Sequence, residues 1–271
     1  MSLRPITDIS PVVPGGTVTI TLPLGMTYHQ VQMLRTNLTA AQCTQVQVYI
    51  GTKVVQEFDD LEEMAALNAY YKRPQTGNYD SFWFDRPELD EQDREITAIG
   101  TLDVSNFQIK FKVAAAAVAP SISVRADRSI GTPLGVFTKI KRSPYPITST
   151  GEVDLTRMPK IGKVIAEHYK KATDDMTALR VVRDEVDQIE SSIVDLEEFQ
   201  KQYGRVPQAF YVHNEYTIKG DITRALIVDQ YDPMPGEVRG RPVQEYFAKA
   251  TVATAETIVL ITEHLDSLSG S

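Results

Sequence analysis

Apolar and polar residues alternate one by one through short runs along almost the whole chain. That pattern admits little except β-strands, because successive strand side chains point to opposite faces of a sheet. In TVTITLP, Val18, Ile20 and Leu22 share one face, and Thr17, Thr19 and Thr21 share the other. QVQVYIG groups Val46, Val48 and Ile50, and Gly51-Thr52 then offers a tight turn into KVVQEF, which predicts a hairpin. NFQIKFKV is the clearest run: Phe107, Ile109, Phe111 and Val113 are expected inside, with Gln108, Lys110 and Lys112 accessible or at a subunit contact. SISVRA, from Ser121 to Ala126, follows the same rule.

AAAAVAP, from Ala114 to Pro120, has the length and flanks of a strand-to-strand connection despite its alanines. RSIGTPLG, from Arg128 to Gly135, carries Gly131, Pro133 and Gly135 at the spacing of a linker and marks the midpoint. Beyond it GKVIAEHY, TALRVVRD, QAFYVHN, RALIVDQY and ETIVLITEHL read as strands, broken by loops such as DPMPGEVRGRP. A chain of 271 residues lies where a single core stops growing and the polypeptide divides. The expectation is all-β: two antiparallel sandwiches, over residues 1–130 and 131–271.

The tetrad DLEE stands at Asp60–Glu63 and again at Asp195–Glu198, almost half the chain later. Each copy follows a predicted hairpin, VQVYIGTKVVQEF in one half and LRVVRDEVDQIESS in the other. Asp60 with Glu63, and Asp195 with Glu198, have the spacing of a helix N-cap and its N3 partner, and acidic side chains suit that end of the helix dipole. Short helices are therefore expected from Asp60 to about Lys72 and from Asp195 to about Tyr203, with apolar faces of Leu61, Met64 and Ala65 and of Leu196, Phe199 and Tyr203. Pro74 and Pro207 follow them. Chance repetition of a four-letter word is common in a chain of this length, but the matching flanks and closing prolines favour duplication of one sandwich. Adjacent glutamates point in different directions on a helix, so capping accounts for these carboxylates better than acid–base chemistry.

No other stretch assembles a reaction centre. His29, His168, His213 and His264 are isolated, without H-x-H, H-E-x-x-H or C-x-x-C spacing, and read as structural histidines. Walker, dinucleotide and nucleophile-elbow motifs are absent from the sequence. ELDEQD, from Glu88 to Asp93, is the one loop that offers ligands to a hard cation such as calcium, but it lacks the spaced calcium-loop pattern, and solvation explains it more simply. Trp83 and Phe84 suit a core or an interface better than a sugar platform. No catalytic, cofactor-binding or metal-binding residue is assigned, and no cofactor is expected beyond an unassigned structural calcium.

The net charge of −8 argues against a large phosphate-binding surface, and neither end carries a basic arm. Cys43 is the single cysteine, so no intrachain disulfide framework exists, and a buried apolar role is expected for it. MSLRPITDIS lacks the apolar region of a signal peptide, and no run of about 18 apolar residues is present. Synthesis and folding are expected in the cytoplasm.

Three stretches of the first half resemble the major capsid proteins of corticoviruses, tailless icosahedral marine bacteriophages with a membrane beneath the shell. They are LPLGMTY at Leu22–Tyr28, YKRPQTGNYDSFWFDRPEL at Tyr71–Leu89, and AIGTLDVSNFQIKFKVAAAAVAPSISVRADRSIGTP at Ala98–Pro133. EYTIKGDITRALIVDQ and ETIVLITEHL in the second half are similar but less specific. The resemblance implies a double jelly roll, two eight-stranded antiparallel β-sandwiches with a short helix in each. It also implies three copies in a pseudo-hexagonal homotrimer that tiles the shell over an internal membrane, with further contacts between trimers. Vertex and membrane proteins are the implied partners, direct nucleic-acid contact is not, and assembly takes place in the host cytoplasm. The chain ends and long loops, YDPMPGEVRGRP included, would supply contacts between trimers or to those partners. Two other classes share the duplicated sandwich: a bicupin metalloenzyme, which needs histidines clustered with a glutamate, and a carbohydrate-binding double sandwich.

Overall fold

The computed structural model describes residues 2–74, 77–90, 93–230 and 240–267. Two compact units divide between Lys141 and Arg142.

In the first unit the alternating runs become strands at the expected places. β1 (Ser2–Ile6), β2 (Thr17–Thr21), β3 (Met26–Thr36), β4 (Cys43–Ile50) and β5 (Lys53–Asp60) lead to helix α1 (Leu61–Tyr70). β6 (Tyr79–Trp83), the two-residue β7 (Ile99–Gly100), β8 (Phe107–Val113) and β9 (Ser121–Ile130) follow. One sheet runs β1-β9-β3-β6 with β7 also on β3, and the second contains β5-β4-β8-β2. The predicted hairpin is β4–β5, turned at Gly51, whose φ of 61° suits glycine.

β8 shows why the faces are legible. Phe107, Ile109, Phe111 and Val113 are buried while Lys112 is exposed, and the register sets Val18 opposite Phe111 and Ile50 opposite Phe107. Tyr28 of the other sheet meets Phe107 edge-on, with ring centroids 5.2 Å apart, so the apolar faces of the two sheets close on one core. Val124 and Ala126 of β9 and Val18, Ile20 and Leu22 are likewise buried, and residues 114–120 form the connection between β8 and β9.

The expected division between residues 130 and 131 falls in a pinned segment. A Cβ at Gly131 would lie 2.2 Å from the Gly25 carbonyl oxygen, so only glycine fits that approach. Thr132 donates its amide to Thr27 Oγ1, Leu134 donates its amide to Asp103, and Gln56 donates its side-chain amide to the Thr138 carbonyl. The compact units part within β10 (Phe137–Tyr145), while the strand plan starts anew with β10 itself, just beyond the expected division.

The second unit continues with β11 (Gly151–Leu155), β12 (Lys163–Lys170), β13 (Met176–Arg183), β14 (Val186–Ser192) and helix α2 (Ile193–Gln202). β15 (Tyr211–Glu215), the two-residue β16 (Leu226–Ile227), β17 (Tyr246–Val252) and β18 (Ile258–Asp266) complete it. Strand order is β10-β18-β12-β15, with β16 also on β12, and β11-β17-β13-β14. Adding nine to every strand number of the first unit reproduces this order, including the short strand that pairs with β3 or β12, and each helix follows the fifth strand of its set. One sandwich plan therefore occurs twice. Its second core includes Leu155, Tyr169, Leu179, Val181, Ala248 and Leu260.

The tetrads do not mark equivalent positions. Asp60 caps α1, accepting the Glu63 amide at 2.8 Å, while Glu63 reaches back to the Asp59 amide at 3.0 Å. In the second unit Ser192 is the cap, and Asp195 lies inside the first turn as its partner. Ser192 Oγ accepts the Asp195 amide at 3.2 Å and donates to Asp195 Oδ2 at 2.6 Å. The serine at the end of β14 supplies the cap oxygen, so the helix is capped three residues earlier than expected. Its buried positions are Leu196 and Gln200; Phe199 and Tyr203, which share the expected apolar face with Leu196, are 40% and 38% exposed.

Candidate functional site

Glu88, at the head of the acidic loop after β6, is held from within rather than solvated, while Asp90 is exposed. Glu88 accepts from Arg73 Nε and Nη2 at 3.1 and 2.7 Å and lies 2.9 Å from Arg86 Nη2. Both guanidiniums also lie over the Tyr71 ring, at 4.5 and 4.9 Å. Burial would raise the Glu88 carboxyl, but Arg73 and Arg86 hold it below the usual glutamate range. Glu91 and Gln92 lie outside the described residues. Among the described residues no group of three His, Cys, Asp or Glu side chains is placed to hold a metal ion. Phe84 is core, 5.4 Å from Phe107 by ring centroids, and Trp83 is half-buried. The Cys43 thiol is buried and pushed up to about 12, first by desolvation and then by Asp80, which leaves it unreactive.

The histidines are not isolated in space. β12 and β15 pair so that His168 lies directly opposite His213, and their Nδ1 atoms are 2.7 Å apart. His168 Nε2 is 3.1 Å from Glu263 Oε1 on β18. Two imidazoles and a glutamate thus meet, the grouping whose apparent absence weighed against a bicupin. Two nitrogens bound to one tetrahedral zinc at about 2.0–2.1 Å would stand about 3.3 Å apart. Rings already bonded to each other do not present that geometry. His29 and His264 are also buried, the first bonded to Ser129 Oγ at 2.9 Å, the second to Thr262 Oγ1 at 2.7 Å.

Next to His168, Glu167 turns to the core face of β12. It accepts from Tyr169 Oη at 3.1 Å, Asn214 Nδ2 at 2.9 Å and Tyr216 Oη at 3.0 Å, and from Tyr246 Oη. Burial pushes its carboxyl up, and these donors pull the other way without cancelling that. Farther along β15, Glu215 receives a bidentate fork from Arg205, with Nε at 2.6 Å and Nη2 at 2.7 Å. These residues satisfy one another and hold β15 and the segment after α2; no alternation rule finds the Glu167 cage, since Asn214, Tyr216 and Tyr246 lie 47, 49 and 79 residues from it.

Around α2 the second unit exposes apolar side chains among the charged Asp195, Glu198 and Lys201. Val194, Phe199, Tyr203, Val206 and Phe210 are all exposed, and the rings of Phe199 and Tyr203 pack 5.1 Å apart. A groove of about 250 Å³ beside them is mixed, lined by Leu196, Phe199 and Ile218 together with Gln188, Lys219 and Arg224. A larger cleft of about 710 Å³ is floored by Met158, Tyr246 and Phe247. Its lysines are engaged: Lys160 caps the Val243 and Gln244 carbonyls, and Lys249 pairs with Glu152 and Asp154. The first unit exposes Leu24, Leu102 and Ile130, near the close approach of Gly25 and Gly131. Such surfaces suit broad protein contact. The loop YDPMPGEVRGRP lies outside the described residues for positions 231–239.

Two family models match the chain: the N-terminal domain of viral coat protein P2 over residues 3–129, and its C-terminal domain over residues 137–268. The major capsid protein P2 of Pseudoalteromonas phage PM2 is 25% identical over 241 residues, 83% of this chain and 86% of that protein. The crystal structure of major capsid protein P2 from bacteriophage PM2 matches with a TM-score of 0.90 at 22% identity, covering 100% of this chain and 99% of that one. The STIV MCP matches with a TM-score of 0.65 at 10% identity, covering 97% and 96%. These likenesses show the double jelly-roll fold.

Proposed function

The chain belongs to the viral coat protein P2 family and is a major capsid protein of the virion, and from that premise we propose that three copies close into a pseudo-hexagonal homotrimer that tiles an icosahedral shell over an internal membrane. The observation that carries the trimer is the nine-strand offset: one chain supplies two copies of the same sandwich, so three chains supply six similar blocks around a threefold axis. The apolar exposure around α2 supports burial of that face against another protein surface, and the acidic chain without a basic arm suits a shell that does not touch the genome. Trimers then contact one another, and vertex and membrane proteins of the virus complete the particle. The role is structural, with no cofactor and no reaction step assigned to any side chain.

Sedimentation of the purified protein at micromolar concentration tests this, across a range of salt and calcium. The expected species is three times the 30.3 kDa chain or a larger assembly of it. A monomer with nothing heavier at any condition would overturn the trimer.

A further inference from the structure

His168 and His213 have no appreciable contact with solvent, and the 2.7 Å between their Nδ1 atoms holds one proton, whichever ring donates it. With both rings neutral, His213 donates from Nδ1 to His168 Nδ1, and His168 donates from Nε2 to Glu263. One added proton is accommodated: the pair then holds three ring protons, one imidazolium charge beside Glu263 and still a single proton between the facing Nδ1 atoms. A second added proton is not. It places N–H groups on both facing Nδ1 atoms and two like charges side by side in a buried space. The native pair therefore binds at most three ring protons, whereas two freed histidines bind four once the pH is below about 6.5.

The charged and titratable groups on that face of the second unit do not relieve the limit. Glu263 already takes the first added charge, and Glu215 is neutralised by the Arg205 fork. Lys170 lies 5.8 Å from the centroid of the Tyr211 ring, and Tyr211 stacks parallel to His213 at 5.7 Å. Glu167, the neighbour of His168, faces the opposite way into its tyrosine cage. From α2, neutral Gln200 donates to the His213 carbonyl, so the helix is tied to the same strand position.

We propose that the His168–His213 pair is an acid-operated latch on the second unit: the second added proton breaks the Nδ1–Nδ1 bond and releases β15, and α2 with it, from β12. Burial first, and then the positive field of His168, hold His213 well below its ordinary range. A base whose folded pKa is depressed contributes stability that is complete above the unfolded value of about 6.5 and is lost as the pH falls below it. The deficit of one proton gives up to about a tenfold rise in opening per pH unit in that window.

Hydrogen exchange on the purified full-length chain at about pH 7 and about pH 5, corrected for intrinsic exchange, reads the latch without an assembled shell and so stands apart from the sedimentation test. Residues 193–202 and 211–215 are expected to open on the order of tenfold more, or beyond, at the lower pH, while β4 and β8 keep their protection. His213→Gln retains a donor to His168 but takes up no proton, and should abolish the difference. Equal protection of 211–215 at both pH values would overturn the proposal, as would a His213→Gln chain with undiminished pH dependence. Should that variant not fold, nitrogen-detected titration of the wild-type rings decides: one imidazole is expected to stay neutral until β15 opens. Both rings charging near pH 6.5 with β15 still protected would overturn the latch.

Discussion

Ile20 on β2 and Ile109 on β8 face each other across the ladder, each with no exposed surface, and Val48 on β4 flanks Ile109 from the other side. Ile109→Ala should therefore cost about 2–5 kcal/mol, from lost transfer energy plus the cavity left between three strands. Lys112→Ala, on the exposed face of the same strand, should stay within about 0.5 kcal/mol. Urea unfolding of the two variants checks the pair, and equal midpoints would mean the register is wrong.

The two DLEE tetrads should respond differently to the same change. Asp60→Ala removes the cap of α1 and should cost about 1 kcal/mol, within roughly 0.5–2. In the second unit that cost belongs to Ser192→Ala, and Asp195→Ala, which leaves the cap oxygen in place, should cost less. Thermal melts of the three variants give the ranking.

Acid should loosen the first unit through Glu88. Burial raises its carboxyl, and Arg73 and Arg86 outweigh that, so its folded pKa lies below the ordinary 4.5. The unfolded chain then binds more protons below 4.5, and the contribution of Glu88 is complete above that value and lost as the pH falls through the folded pKa. Glu88→Gln should be less stable at neutral pH and show a shallower loss below about 4.5. Denaturation midpoints measured from neutral pH downwards distinguish the two slopes.

Arg205→Ala should cost about 3–5 kcal/mol, because it strands the carboxylate of Glu215, whose side chain is 0% exposed, without its counter-charge. Arg205→Lys should recover only part of that, since an ammonium cannot reproduce the two parallel bonds. Urea titration of both variants is the measurement, and a wild-type midpoint for Arg205→Ala would show that the fork contributes nothing.

Which residues share a face was legible before any partner strand was known. Alternation fixed Val18 with Ile20 and Phe107 through Val113 as core, because the strand period of two is a local property that no partner strand alters. The β4–β5 hairpin was legible for the same reason, its turn residues lying between its own strands. The existence of both helices was legible from capping chemistry, but the start of α2 was not. Ser192 and Asp195 are both competent caps, and the choice fell where β14 ends its pairing with β13, at Ala178 opposite Ser192.

Tertiary structure alone decided which sequence-distant strands stand side by side, and with that the buried histidine and glutamate clusters on β12 and β15. His168 meets His213 45 residues on and Glu263 95 residues on. Those separations carry no periodic signal; they become neighbours only because β12 lies between β15 and β18. Phe199 and Tyr203 show the same limit from the other side. Helical spacing marked them as an apolar face, yet a spacing cannot say whether that face closes on its own core, and here the core took Leu196 and Gln200 and left both rings at the surface.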